Sequence, residues 1–397
     1  MKIKKAVYKA IFLFIVFAGA VLVLAGCWDQ TEIDDLAIIT SAAFDKSDHG
    51  QVEVALEILI AKSMSGGSGG SGGGGSDSGA PTMIKSTKGV NLADALSKLQ
   101  SELPRHIFFG LCKVFIFGED LAKEGLEDHL DYLLRDPKPR ERSFMFVSQG
   151  KAKHIIELRT LLEVYSAESI RKMTNMEYGM KVALLELEEM ISGNDRSAAI
   201  PFLTTKMEEE NSGEVKELPK MDGIAVFLKD RMVGRMSRST TRGLLWLRGE
   251  IKDYTVSFTP ENEEGKMSVT PISTVIHLIP KIQDEEWKVI IHIKTDGTLA
   301  QNGTNLDLSD TKTLKKVEYD FGEAIKSRVS SAFQEMQKMK ADVINLGEGF
   351  HRKYPKQWEK VKDRWEEFIP EVKTEFVIDA HIGGWGYTNK SVKSEEK

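Results

Sequence analysis

The chain has 397 residues, 41% of them hydrophobic, with 54 Lys and Arg against 60 Asp and Glu and two cysteines. That length exceeds one ordinary domain of about 100–200 residues and calls for two or three, with ample apolar material for real cores. The acidic balance speaks against nucleic acid as a partner and against broad adhesion to anionic lipid.

Lys2, Lys4, Lys5 and Lys9 open the chain, an uninterrupted apolar run follows from Ala10 to Leu24, and Leu24-Ala25-Gly26-Cys27 closes it. This is the three-part layout of a secretory signal, with Leu three residues before a Cys and small residues between. In bacteria that arrangement is a lipobox: the Cys27 thiol is alkylated by a diacylglyceryl group, and cleavage then makes Cys27 the N-terminus. As a plain membrane anchor the apolar run is short, because spanning a bilayer takes about 20 residues. Two acyl chains at about 0.8 kcal/mol per buried methylene give a stable anchor. The expectation is a signal peptide over 1–26 and a mature chain of 50 basic against 60 acidic residues, tethered at an extracytoplasmic membrane surface. With Cys27 committed to lipid, Cys112 stands alone, so no intrachain disulfide forms and packing must hold the fold.

Past the polar neck from Trp28 to Ile33, the runs 36–44 and 52–61 predict a β-hairpin across turn residues 45–50. Residues 65–79 are almost all Gly and Ser and read as flexible coil. The G-x-G-x-x-G and G-x-S-x-G matches inside that insert lack the flanking strand and helix that would give them chemistry. Strands are expected at 82–87, 113–117 and 143–148. Helices are expected at 91–99, capped by Asn91, at 126–134, ended by Asp136-Pro137, and at 151–159. Cys112, inside the run Leu111–Phe117 that reads as a buried strand, reads as a small core residue, with a reactive thiol near His106 as the other option. Ile170, Met173, Met176, Met180, Leu184 and Leu187 keep helical spacing and predict one helix over 167–191. Its Met stripe reads as a core face, with an adaptable binding groove as the other option. The polar stretch 206–217 reads as a linker.

Beyond it, 223–229 and 232–236 predict a second hairpin, and 240–247 a short helix holding Trp246. Strands follow at 254–258, 268–279 and 287–293, with a turn at Thr295-Asp296-Gly297. Leu314, Val317, Phe321, Ile325, Val329, Phe333, Met336 and Val343 then step as one long amphipathic helix of roughly nine turns, started by Ser309 or Asp310. A second helix is expected around 358–368, with Trp358 and Trp365 on nearly one face as core packing, and a strand at 374–382. A Gly-Trp-Gly end at 384–386 and a charged, disordered tail at 388–397 close the chain.

The run Asp342-Val343-Ile344-Asn345-Leu346-Gly347-Glu348-Gly349-Phe350, then Tyr354-Pro355-Lys356-Gln357-Trp358, then Trp365-Glu366-Glu367-Phe368, resembles the closing motif of the Ger(x)C family. These are the C-subunit lipoproteins of bacterial spore germination receptors. The opening Gly26-Cys27-Trp28-Asp29, Glu32-Ile33 and Ala43-Phe44-Asp45 is similar to that family's, as are Leu111–Gly118 and the hairpin at 222–234. Cys112 stands where many relatives are expected to carry His, which argues against essential imidazole chemistry there. The resemblance implies three mixed α/β domains, an anchor in the spore inner membrane and assembly with two integral membrane subunits, A and B. It supplies no enzymatic activity.

The residues themselves agree. The eight histidines (49, 106, 129, 154, 277, 292, 351 and 381) are scattered with no H-x-H, H-E-x-x-H or C-x-x-C spacing, so no zinc site is expected. There is also no phosphate-binding G-x-x-x-x-G-K-[ST] loop. His277 and His292 are expected to face each other across a strand pair as structural residues. The acids Asp29, Glu32, Asp34 and Asp35 form a solvated neck.

The expected fold is α+β, with largely antiparallel sheets. Its parts are an N-terminal mixed α/β domain over 27–200, a hairpin-and-helix domain over 218–265 and a C-terminal α+β domain over 266–387. The expected function is that of a lipid-anchored, non-enzymatic germinant-receptor subunit with no cofactor and no metal. Cys27 is its acylation site, and Trp28, Asp29 and Glu32 are its neck contacts to a membrane subunit. A solute-binding lipoprotein of a transporter is the alternative, and a lipoprotein hydrolase the second; the first wants two lobes of alternating βαβ units, the second a nucleophile beside its base.

Overall fold

The computed structural model describes residues 32–60, 81–158, 160, 162–176, 179–209, 213, 215–252 and 254–384, together with Tyr8 and 11–14 near the start. Cys27, Trp28, Asp29, the Gly/Ser stretch 65–79, Trp385 and the 388–397 tail lie outside these residues. Among the described residues no helix is long and apolar enough to cross a membrane.

The molecule is built on two sheets. In the large one, β1 (Leu36–Lys46), β2 (Val52–Leu59), β3 (Thr82–Gly89), β5 (Val114–Gly118), β6 (Phe144–Ser148), β7 (Ser197–Glu209), β8 (Val215–Leu228) and β9 (Arg231–Met236) lie in the order β3-β2-β1-β5-β6-β7-β8-β9. The short β4 (His106–Phe108) also pairs with β1. The centre, β1-β5-β6-β7, is parallel, and antiparallel hairpins flank it on both sides. Near-continuous burial of β1 and β2 follows from helices on both faces. Ala42, Phe44, Val54 and Leu56 enter one core, whereas Ala43, Ala55, Val114 and Ile116 enter the other.

On the first face lie α1 (Leu92–Glu102), α2 (Glu119–Glu124), α3 (Glu127–Arg135) and α6 (Leu184–Ser192). On the second lie α4 (Ala152–Glu157) and α5 (Ser166–Asn175). Asn91 caps α1 as expected, its side chain accepting from the Asp94 N–H at 2.9 Å.

The second sheet runs β10 (Val256–Phe258), β11 (Met267–Gln283), β12 (Glu286–Asn302) and β13 (Lys373–Gly384), with β12 and β13 parallel. The long helix α8 (Thr311–Lys338) starts at Asp310, whose carboxylate accepts the Thr313 N–H. It packs Val317, Phe321, Ile325 and Val329 into the core that Val289, Ile291 and Ile293 of β12 enter. It also crosses α7 (Arg238–Leu247) so closely that a Cβ on Gly243 would lie 2.2 Å from the Arg328 carbonyl oxygen.

The α+β class holds, but several local expectations do not. Residues 206–209 and 215–217 fall in β7 and β8, which pair from Ser197↔Leu228 out to Glu209↔Val215, so the stretch read as a linker is largely a strand pair. The outer half of this ribbon is wet on both faces, and so its composition mimics a linker. The helix expected over 167–191 is two, α5 and α6. Between them the Val182 carbonyl accepts the Met145 N–H and Ala183 bridges to Phe144, drawing the chain along β6. No turn forms at Thr295-Asp296-Gly297: β12 continues through it, with a bulge after Gly297. The long helix stops at Lys338, and Val343 is buried by a loop that reverses at Lys340 (φ 54°). No single helix forms over 358–368: α9 (Leu346–Lys353) comes before it, α10 (Pro355–Trp358) ends at its first residue, and only α11 (Trp365–Phe368) falls inside, after a 3₁₀ turn at Lys362–Arg364.

Candidate functional site

Of the four residues singled out near the anchor, the structure places only Glu32. It is exposed, and its carbonyl accepts the Asp35 N–H at 3.0 Å, opening a 3₁₀ turn over Ile33–Asp35 that feeds β1. Glu32 therefore leads straight into β1, one of the central parallel strands of the large sheet.

The most elaborate polar arrangement is built by the closing motif. Asp342, 1% exposed, accepts the N–H groups of Ile344 (3.3 Å), Leu346 (3.0 Å) and Gly347 (2.7 Å) and the Trp365 indole N–H (2.8 Å). Asn345 takes the left-handed conformation (φ 56°), which Asn tolerates better than most residues. Gly347 is required by space: a Cβ there would lie 2.0 Å from Asp195 Oδ1 and 2.6 Å from the Trp358 ring. Trp358 and Trp365 meet edge-on at 5.1 Å, and Trp365 also meets Trp287 at 5.8 Å. These tryptophans are core, as their spacing suggested.

This knot is tied to the large sheet just before β7. The Asp342 N–H donates to Ser197 Oγ at 3.0 Å, and that hydroxyl donates to the Asp195 carbonyl at 2.9 Å. The Asp195 carboxyl sits against Asp342 and Glu348 with one oxygen buried and without a hydrogen-bond partner. Burial, then the Asp342 charge, pushes the Asp195 carboxyl well above the ordinary range. Burial raises Asp342 as well, but its four donors oppose the rise. Four N–H donors favour the charged form of Asp342, whereas one Asp195 oxygen has no donor to favour its own. Nothing in the sequence around Asp195 pointed to this partnership, which joins residues 147 positions apart.

Three acids inside the β1–β2 hairpin are likewise committed to structure. Asp45 accepts the Ala152 and Lys153 N–H groups at the start of α4 (2.6 and 2.9 Å). Glu57 takes the Thr40 and Ser41 hydroxyls (2.7 and 2.8 Å) and the N–H groups of Ala167 and Ser166 at the start of α5. Each carboxylate thus meets the positive end of a helix, and burial still leaves both raised. Burial opposes the charge of Glu53 too, but the Lys153 ammonium at 2.9 Å holds it below the usual range.

Elsewhere, His277 and His292 do face each other, with ring centroids 6.4 Å apart on the outer face of the small sheet, and His292 pairs with Asp379 at 2.9 Å. The buried Cys112 thiol is pushed up to about 12 by desolvation and donates weakly to the Val114 carbonyl. Among the described residues no group of three or more His, Cys, Asp or Glu could hold a metal. Met173 and Met176 do not lie on a plain core face: with Met221, Leu218 and Pro219 they line a cleft of about 390 Å³.

Two family profiles match the chain in succession. "Spore germination protein N-terminal domain" covers residues 29–205, and "Spore germination B3/GerAC like, C-terminal" covers 222–386, meeting at the β7–β8 ribbon. Spore germination protein KC of Bacillus subtilis (strain 168) is 26% identical over 395 residues, covering 95% of this chain and 96% of that one. Spore germination protein B3 of the same organism is 24% identical, over 95% and 98% of the two chains. The crystal structure of the GerBC protein shares the fold, with a TM-score of 0.55 at 18% identity over 86% of this chain and 96% of that one. The chain belongs to the Ger(x)C family of germinant-receptor subunits and has its role in spore germination.

Proposed function

We propose that the chain is a lipid-anchored, non-enzymatic subunit of a nutrient germinant receptor. A diacylglyceryl group on Cys27 holds it to the outer face of the spore inner membrane, where it assembles with integral membrane A and B subunits. The observation that carries this reading is where the family match lies. It begins at residue 29, two positions after the lipobox cysteine, and runs to 386. Essentially the whole chain behind the anchor is therefore family architecture. The commitment of Asp342, Asp45 and Glu57 to backbone N–H groups, hydroxyls and the indole supports a structural role over a hydrolytic one, because a general acid or base needs a free reach to substrate. Trp28, Asp29 and Glu32, between the anchor and the sheet, are the neck residues proposed to touch a membrane subunit.

The test is affinity isolation of the tagged chain from detergent-solubilised spore membranes. The proposal expects two multispanning proteins to co-purify with it in fixed ratio, and Cys27→Ala to shift the chain out of the membrane fraction. Co-purification with a transporter permease and its ATPase would instead support a solute-binding role.

A further inference from the structure

One edge of the large sheet gathers the chain ends nearest the anchor. β1, β5 and β6 run parallel, so all three begin at this edge, and β2 ends and β3 begins there. β4 lies beside the first residues of β1, with Leu36↔His106 and Ile38↔Phe108 in register. Large apolar side chains stand out from this region, among them Ile33 at 72%, Phe108 at 38% and Leu111 at 45% exposure, with Met83 at the start of β3. A lone exposed hydrophobic residue is ordinary, but a group of them at one end marks a contact surface.

The tether limits what that contact can be. Ile33 lies six residue steps beyond Cys27, and a fully extended chain spans at most about 3.3–3.6 Å per residue. An acylated Cys27 therefore keeps Ile33 within about 20 Å of the lipid headgroups. Both signs of charge stand in the segments that meet here: Arg105 precedes β4 and Lys113 precedes β5, and Glu32, Asp34 and Asp35 precede β1. Such a surface has no electrostatic preference for anionic lipid and gains from apolar contact at the interface.

We propose that this edge of the large sheet faces the bilayer and that Ile33, Phe108 and Leu111 rest in its interfacial layer. The inference rests on the lipid-anchor reading and adds an orientation to it. The β7–β8 ribbon then points away from the membrane, since β7 starts on this side and runs 13 residues outward.

Spin labels on the acylated full-length chain test this. Native thiols do not interfere: Cys27 carries lipid and Cys112 is buried. Labels enter singly through Ile33→Cys, Phe108→Cys and Leu111→Cys. Val90→Cys and Met207→Cys, exposed sites toward the far ends of β3 and β7, are the controls. Collisions with oxygen and with a water-soluble nickel chelate are compared in phosphatidylcholine vesicles, with and without phosphatidylglycerol, and in spore inner membranes. The expected ratio of oxygen to nickel accessibility is at least threefold higher at 33, 108 and 111 than at 90 and 207, and equal in both vesicle types. If all five labels are aqueous while the chain stays on vesicles and Cys27→Ala releases it, the anchor stands and the orientation falls. Failure of the parent chain to stay on vesicles overturns the anchor and the orientation together. Insertion only with phosphatidylglycerol would refute the apolar mechanism. Shielding of 33, 108 and 111 from both reagents in spore membranes would assign the edge to a protein partner and refute the lipid contact.

Discussion

Replacing Asp342 with alanine should loosen the C-terminal segment from the large sheet. The carboxylate accepts four N–H groups at 2.7–3.3 Å in a fully buried site. A hydrogen bond to a charged group contributes about 1.5–3 kcal/mol net, and donors left buried without a partner add a desolvation cost. The four are not additive, water can enter the cavity, and removing the Asp342 charge relieves Asp195 of an unfavourable neighbour, which offsets part of the penalty. About 4–5 kcal/mol remains, at the high end for a single substitution. At about 2–4 °C per kcal/mol for a unit of 150–250 residues, Tm should fall by about 10–15 °C. Intrinsic fluorescence is the natural assay, because Trp287, Trp358 and Trp365 surround the knot. Asp342→Asn retains one acceptor oxygen and should lose about half as much. Glu366→Ala breaks only the Lys229 ion pair at 3.4 Å on the surface and should cost under about 1 kcal/mol. An Asp342→Ala chain that melts within 2 °C of the parent would refute the reasoning.

Three further outcomes are expected. Gly347→Ala drives a methyl group into Asp195 and Trp358 and should lower Tm by several degrees in the same assay; an unchanged Tm would contradict the close approach. Asp195 has a raised folded pKa, so the folded chain binds more protons than the unfolded chain between the ordinary carboxylate range and that raised value, and stability falls as pH rises through this window. Asp195→Asn should therefore gain on the parent more at pH 8 than at pH 5, measured by thermal unfolding; an equal change at both pH values would sink the assignment. In the Cys27→Ala chain, Cys112 should stay silent to an aromatic disulfide reagent at pH 8 and react fully in guanidinium, whereas rapid native labelling would show that its burial is wrong.

Elements whose residues announce a local physical need were legible from the chain. The β1–β2 hairpin, the Asn91 and Asp310 caps and the long helix each follow from turn chemistry, a capping oxygen or a 3.6-residue stripe. What misled was periodicity without hydrogen-bond information. Met176, Met180 and Leu184 step like a helix, yet the Val182 carbonyl is taken by Met145 and Ala183 is extended just before α6. Thr295-Asp296-Gly297 looks like a turn, yet pairing on both sides of β12 holds it as strand.

The closing motif was legible as a family signature but not as a mechanism. Its Asp, Asn and Gly make sense only when Asp195 and Trp365 are brought against them. Asp195 is unremarkable in sequence, and only the fold brings it to the knot. The carboxylates of the hairpin show the same gap: Glu53 and Glu57 read as ordinary strand residues until α4 and α5 arrive over them.

The central claim is tested most directly by nutrient germination itself. Dipicolinate release would be followed from spores lacking this chain, across a nutrient panel, with a non-nutrient trigger as control and with the parent and Cys27→Ala chains restored in parallel. The expected result is loss of release for one class of nutrient, intact release with the control trigger, and rescue by the parent chain but not by Cys27→Ala. Normal release with every nutrient, or full rescue by the unanchored chain, would contradict a lipid-anchored receptor subunit.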